Sequence, residues 1–421
     1  MTNTFRIKTL GCKVNQCDSQ ELRNYLSMRG WTECRNGEQA ELAIVNTCCV
    51  TAQADRKSRQ AVREAIVKTK ESRVAVVGCY AGYERFRLEH MHSHLAIFDH
   101  TQRSNLFIWI DGLGRNVAGS DPTTPSGFHR HTRAFLKVQE GCDNRCSYCV
   151  VPLVRGPSRS RDTEDVLKEA AQMVGQGHRE IVVTGVCLGA FGREKKPRIS
   201  LVGLLQKLQE INGLSRIRLS SIEPADVTDE LISCIAASNK ICPHLHLSFQ
   251  SGDDAILKAM NKPISVAGYI CLVEKARESI KNLAITCDFI VGFPGEEGSH
   301  LEHTMRFIEA VGPLRTHLFT FSPRRGVSEF CSRATVKHQM VKKRFQHLKM
   351  ICDEQAKKYM EQFLGKTLEV LFEEETDGVW QGYSQNYIRV KARATIGLKN
   401  SINSIKVTKV RRNHVEGEII Y

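Results

Sequence analysis

The run Glu140-Gly141-Cys142-Asp143-Asn144-Arg145-Cys146-Ser147-Tyr148-Cys149 sets three thiols at C-x3-C-x2-C spacing on one short loop. Three thiolates so close in the chain can hold three irons of a [4Fe–4S] cube and leave the fourth iron open. An open iron can chelate the amino and carboxylate groups of S-adenosylmethionine and pass an electron to its sulfonium. Methionine and a 5′-deoxyadenosyl radical result, chemistry that a protein delegates to a cofactor. Zinc is the competing reading. Zinc sites usually show paired C-x2-C elements or histidine partners, and this loop has neither. Tyr148, just ahead of the last cysteine, suits stacking on an adenine face.

A second set, Cys12, Cys48 and Cys79, is scattered in the chain, and each member follows a strand-like run: 5–10, 43–45 and 73–77. Helices are expected over 21–28, capped by Asp18, and over 52–70. This β-turn-α repeat implies a small parallel sheet, whose strand ends lie side by side where α/β proteins bind ligands. Three thiolates would converge there. Cys49 adjoins Cys48, so either could be the second ligand. Small buried cysteines are the plainer reading, but recurrence at one topological point favours a cluster.

The elements that must hold these residues follow from the rest of the chain. Its 421 residues suffice for two or three domains, and 41% hydrophobic with 25% charged residues is ordinary for a globular protein. Sixteen cysteines with no signal-peptide pattern point to a reducing, cytoplasmic setting. No run of about 18 apolar residues suggests a membrane span. A net charge of +14 suggests an anionic partner, nucleic acid foremost.

Strands are expected at 134–138, delivering the cysteine loop, and at 180–184, 216–220, 244–248, 283–290 and 317–321, with helices between them. Six strands in strict alternation with helices read as an open parallel β/α barrel, a partial TIM-type barrel with its chemistry at the strands' C-terminal ends. Thr184, Gly185, Glu223 and Gln250 fall there as candidate cofactor contacts. Gly185 would allow close backbone approach, Glu223 would accept from ribose hydroxyls, and Gln250 would bond the amino-acid moiety. Arg155 and Arg324 at the barrel mouth suit phosphates. Residues 113–131, rich in Gly, Pro, Ser and Thr, read as a linker. From 367 onward five short alternating runs predict a small antiparallel β-barrel. Tyr383, Tyr387 and Arg389 on it suit stacking on bases and a phosphate contact. The fold class is therefore α/β, with a small α/β domain over 1–112, the barrel over 132–362 and the β-barrel over 363–421.

The segments Thr9-Leu10-Gly11-Cys12-Lys13-Val14-Asn15, Asn46-Thr47-Cys48, Gly78-Cys79-Tyr80-Ala81 and Glu140 to Cys149 resemble the methylthiotransferase family of radical S-adenosylmethionine enzymes. Val154-Arg155-Gly156, Gly292-Phe293-Pro294-Gly295-Glu296 and Gly382 to Tyr387 add to the likeness, which covers nearly the whole chain. The resemblance implies two [4Fe–4S] clusters, an auxiliary one on Cys12, Cys48 and Cys79 and a radical one on Cys142, Cys146 and Cys149, together with S-adenosylmethionine. It implies that the terminal barrel is a TRAM-like RNA-binding domain. The opening Leu-Gly-Cys-Lys-Val-Asn and Arg218-Leu219-Ser220-Ser221-Ile222-Glu223-Pro224 resemble the branch acting on N6-threonylcarbamoyladenosine 37 of tRNA. Its partners would be a tRNA anticodon stem-loop, an electron donor such as a flavodoxin, and a sulfur source. Branches acting on N6-isopentenyladenosine 37, or on a ribosomal-protein aspartate, are the alternatives, and a non-catalytic iron–sulfur RNA-binding protein is the rival outside the family.

Overall fold

The computed structural model describes residues 3–34, 38–69, 73–113, 132–327 and 336–420. The first unit runs β1 (Thr4–Thr9), α1 (Lys13–Met28), β2 (Thr32–Glu33), β3 (Leu42–Thr47), α2 (Ala52–Lys68), β4 (Val74–Gly78), α3 (Cys79–Tyr83), α4 (Arg85–Glu89), β5 (Leu95–Ile97) and α5 (Arg103–Leu113). Its five strands form one parallel sheet in the order β2-β1-β3-β4-β5. Every residue of β3 and β4 is buried, as parallel strands covered on both faces require. The sequence pattern missed β2 and β5, each too short to show a period.

Asp18 does not cap a helix. It lies inside α1, which starts five residues earlier at Lys13, and it is buried there against Lys137 and Arg155. Of the expected linker, Leu113 belongs to α5, and residues 114–131 lie outside the described residues.

The second unit runs β6 (Ala134–Lys137), β7 (Gln139–Glu140), α6 (Val151–Arg155), β8 (Arg159–Ser160), α7 (Thr163–Gly175), β9 (Glu180–Thr184), α8 (Leu201–Gln209), β10 (Arg216–Leu219), β11 (Ser221–Ile222), α9 (Asp229–Ala236), β12 (His244–Gln250), α10 (Asp254–Ala259), α11 (Val266–Ser279), β13 (Ala284–Val291), α12 (Gly298–Val311), β14 (Arg315–Thr320) and α13 (His338–Glu361). The parallel ladders β6-β9-β10 and β11-β12-β13-β14 are joined through an Ile217–Ile241 bridge into one arch. Among the described residues β6 and β14 do not pair, so the barrel is open as expected.

Strand period sorts the arch into an apolar outer face and a polar lumen. On β12, Leu245, Leu247 and Phe249 join the core under the helices, and His244, His246, Ser248 and Gln250 face inward. The lumen faces of neighbouring strands add Glu180, Arg216, Arg218, Thr286, Asp288, Arg315 and His317. Arg218 pairs with Glu180 at 2.7 Å, and Asp288 takes His246 at 3.1 Å and His317 at 3.0 Å.

The third unit is a closed barrel of β15 (Thr367–Thr376), β16 (Val379–Ser384), β17 (Arg389–Arg393), β18 (Ile402–Val410) and β19 (Val415–Ile419), in the order β15-β16-β17-β19-β18. The pairs are antiparallel except β17–β19, which is parallel and departs from the expected all-antiparallel barrel.

Its β16–β17 turn enters the floor of the larger barrel. Arg216 donates to the carbonyls of Tyr383 (3.2 Å) and Glu369 (2.9 Å), and Arg218 donates to those of Gln385 (2.8 Å) and Ser384 (3.1 Å). Tyr387 takes a left-handed backbone, φ 65°, and its ring lies 4.6 Å from His244 and 5.0 Å from Tyr383. The Arg133, Arg218 and Arg315 guanidiniums surround the ring at 4.7–5.6 Å. The expected stacking of Tyr383 and Tyr387 on bases is thus overturned: these rings are occupied within the protein.

Candidate active site

Glycine and strand ends build the first thiol set. Gly11 follows β1 at φ +96°, and a Cβ there would fall 3.0 Å from the Cys48 sulfur. Only a bare backbone lets the β1 turn approach the end of β3 this closely. Cys48 is fixed by Ser58, whose hydroxyl accepts from its N–H at 3.1 Å and donates to its carbonyl at 2.8 Å. Cys79 begins α3 just past β4. The charges of Cys12, Cys48 and Cys79 act on one another and on Arg155, so the three strand ends converge as topology demanded. Cys49 turns into the apolar core and its thiol donates to Cys79. That bond, with Arg155 and His100 beside it, holds the Cys79 thiol well below its usual pKa although burial opposes it.

The second set sits on the loop after β6. Gly141 holds φ +71° where a Cβ would stand 1.9 Å from the Pro157 carbonyl, so the first turn of the loop requires glycine. The Ser147 N–H and hydroxyl bond the carbonyls of Met260 (3.1 Å) and Ala259 (2.8 Å), tying the loop to α10. Cys187, which the sequence reading passed over, donates to Cys142 and brings that thiol down to about 7. Its own N–H donates to Gln139 Oε1 at 2.8 Å. A position three residues beyond the end of β9 was the available clue.

Neither set suits one ion. Among the described residues neither has all three sulfurs within 4.8 Å of one another, and a four-iron cube spreads its ligands wider than zinc does. Six thiols in two sets of three fit two iron–sulfur clusters.

Arg155 connects the sets. It lies at the end of the short α6 that follows Cys149, 3% exposed, and donates to the Cys79 sulfur at 3.3 Å. Its other nitrogens meet Asn15, Asp18 and Glu140. Burial alone would raise the Asp18 carboxyl, but Lys137, Arg155 and Arg103 outweigh it and hold it well below the carboxylate range. The expected phosphate contact of Arg155 is therefore corrected to a structural one. Arg155→Ala should cost about 3 kcal/mol, because Asp18 and Glu140 would lose the more buried of their cations and be left to Lys137. Urea unfolding of the anaerobic protein checks this, and a loss below about 1 kcal/mol, the range of an exposed pair, would contradict it.

Other expected contacts also move. Arg324 is 6% exposed and pairs with Asp55 at 2.6 Å through Nη1, with its Nε and Nη2 buried and unpartnered, so it is not the exposed phosphate contact expected. Gly185 is glycine for Gln139, whose Oε1 would lie 2.8 Å from a Cβ there, so the close approach is internal. Thr184 is buried at the end of β9. Glu223 is paired with the buried Lys262, which also donates to the Ser248 carbonyl at 3.0 Å. Tyr148 packs on Ile256, Met260 and Phe293, and its hydroxyl meets Cys146. Gln250 ends β12 at φ 71° beside a register shift. Arg389 lines a cavity of about 150 Å3 with Arg315, Asp353 and Arg412. A larger cleft of about 730 Å3 separates α1 from the barrel, with His100, Arg103, Lys137, Arg159 and Arg161 on its walls.

An open parallel β/α barrel with three cysteines after its first strand defines a radical S-adenosylmethionine enzyme. The Radical SAM superfamily model matches residues 136–308, and that of Uncharacterized protein family UPF0004 matches residues 4–98. The chain is 35% identical to Threonylcarbamoyladenosine tRNA methylthiotransferase MtaB of Chlamydia pneumoniae, over 99% of this chain and 98% of that one. It is 33% identical to the protein of the same name from Bacillus subtilis, over 99% and 96%. A tRNA-2-methylthio-N(6)-dimethylallyladenosine synthase of Clostridium tetani is 32% identical, again over 99% and 96%. In fold, it matches the radical S-adenosylmethionine methyltransferase TsrM of Kitasatospora setae with TM-score 0.55 at 16% identity, over 76% of this chain and 75% of that one. This chain belongs to the radical S-adenosylmethionine methylthiotransferase family. No helix among the described residues is long and apolar enough to cross a membrane.

Proposed function

We propose that the chain places a methylthio group on C2 of N6-threonylcarbamoyladenosine 37 in tRNA. The observation that carries this reading is that Arg155, immediately after the second cysteine loop, touches Cys79 of the first set. One substrate atom can thus be reached from both sets. Cys142, Cys146 and Cys149 would hold the cluster that binds S-adenosylmethionine, and Cys12, Cys48 and Cys79 the auxiliary cluster. When bound, these groups supply hydrogen abstraction and the methylthio sulfur, because an aromatic C–H has no acidic proton at neutral pH. The chain's own residues hold the two sites in register. Lys262 fixes Glu223 beside the radical loop, and Arg155 clamps α1, α6 and the Glu140 strand together.

Arg159 and Lys168 on the wall of the large cleft suit the phosphates of an anticodon stem-loop. A flavodoxin-like electron donor and a separate sulfur source complete the reaction in the cytoplasm. Mass spectrometry of tRNA nucleosides from cells lacking the gene tests the reading. Loss of 2-methylthio-N6-threonylcarbamoyladenosine, with other methylthio nucleosides unchanged, is expected. Loss of 2-methylthio-N6-isopentenyladenosine instead would overturn it.

A further inference from the structure

A cavity of about 150 Å3 lies where the terminal barrel meets the large one, and no cysteine of either set lines it. Arg315 reaches it from the start of β14, at the end of the barrel away from the cysteine loop. Helix α13 lends Lys349, Asp353 and Ala356, which share one face by their spacing. The terminal barrel lends Arg389, which opens β17, and Arg412, from the turn between β18 and β19.

Four cations thus meet one carboxylate. Asp353 is taken by Lys349 and by Arg412, the latter at 2.7 Å, and both of those cations are exposed. Arg315 and Arg389 lie deeper, half-buried. Among the described residues no hydrogen bond or ion pair engages either guanidinium. The Arg389 Nε is shut off from solvent without a partner, and Arg315 has only the ring faces of Tyr383 and Tyr387, at 5.8 and 5.1 Å. Burying a cation is costly unless it is paired, and a buried donor without an acceptor calls for an ion or a water to complete it. Water would satisfy the donor alone. Two unpaired cations in one cavity call for an anion.

We infer that this cavity binds a phosphate group, gripped by Arg315 and Arg389 with Lys349 and Arg412 at its rim. A guanidinium fork matches the spacing of phosphate oxygens, which a monatomic anion lacks. Size narrows the class further. At about 150 Å3 the cavity falls below the roughly 300–1,000 Å3 of sites that enclose a drug-sized ligand, so it takes the phosphate group without a nucleoside attached inside it. The inference is independent of the function proposed above. A phosphate held here ties β17 of the terminal barrel to β14 and α13 of the large one.

Calorimetric titration of the anaerobic, cluster-loaded full chain with inorganic phosphate, at an ionic strength held constant with chloride, tests this. Wild type should take up phosphate saturably, and Arg389→Gln should bind it at least about tenfold more weakly, the scale of one charge-assisted bond. Thermal unfolding adds a readout that a purely structural arginine would not move: phosphate should raise the midpoint of wild type and do so far less for Arg389→Gln. A tRNA stem-loop added to the phosphate-loaded protein identifies the source of the group. Displacement of phosphate assigns the site to an RNA phosphate, and joint binding assigns it to the free ion. Wild type without saturable uptake, or Arg389→Gln binding phosphate as tightly as wild type, overturns the inference.

Discussion

Anaerobically reconstituted protein with Cys142, Cys146 and Cys149 all changed to alanine should hold about four irons rather than about eight, and should no longer cleave S-adenosylmethionine. Cys12→Ala should do the opposite: cleavage continues while methylthio formation stops. The two outcomes differ because the sets sit on separate scaffolds, one at the ends of β1, β3 and β4 and the other on the loop after β6. Cys12 is the cleaner choice for the second experiment. Cys49 already lies against Cys79, so in a Cys48→Ala protein it could take the vacated place and mask the loss. Iron analysis together with release of 5′-deoxyadenosine reads both variants. If Cys12→Ala kept the radical-site iron but lost cleavage, the division of labour between the sets would be wrong.

Truncation after Phe363 should leave little folded protein. From sequence, the terminal barrel read as an RNA-binding domain of its own over 363–421, which would make it a detachable module. It instead supplies four carbonyl acceptors, three from the β16–β17 hairpin and one from β15, to Arg216 and Arg218, which are 1% and 2% exposed. Its core also runs on into the larger unit through Ala284, Leu314, Tyr359 and Met360. Removing it would bare that apolar surface and strip both buried guanidiniums of their carbonyl acceptors, with Glu180 left to serve the two of them, at about 1–3 kcal/mol for each donor left unsatisfied. A milder version is Tyr387→Ala, which should destabilise by about 3 kcal/mol, as for other large rings cut to alanine. Circular dichroism and urea titration measure both. A truncated chain that unfolds at the wild-type urea concentration would restore the detachable module.

The strand ends carrying Cys12, Cys48 and Cys79 and the loop carrying Cys142, Cys146 and Cys149 were legible because each is tied to a local signal, a glycine turn or a strand end, that periodicity can place. The open barrel was legible for the same reason, since six strands alternate with helices over short distances. Charged side chains were not. Arg155 and Arg324 read as phosphate contacts because their partners, Asp18 and Asp55, lie far away in the chain, and no local pattern joins them. Gly185 and Tyr387 misled in the same way. Each has the type a ligand contact needs, and each is taken up by the protein itself, by Gln139 and by the floor of the barrel. Asp18 looked like a helix start because capping residues and buried ion-pair residues are the same types.

The floor of the barrel also bears on how the protein is made. Arg216 and Arg218 leave the ribosome well before the turn at 383–387 that satisfies them, some 167 residues later for Tyr383. Domains generally fold as units during synthesis, N-terminal first, but this lumen is one that synthesis leaves unsealed until the β16–β17 hairpin has emerged.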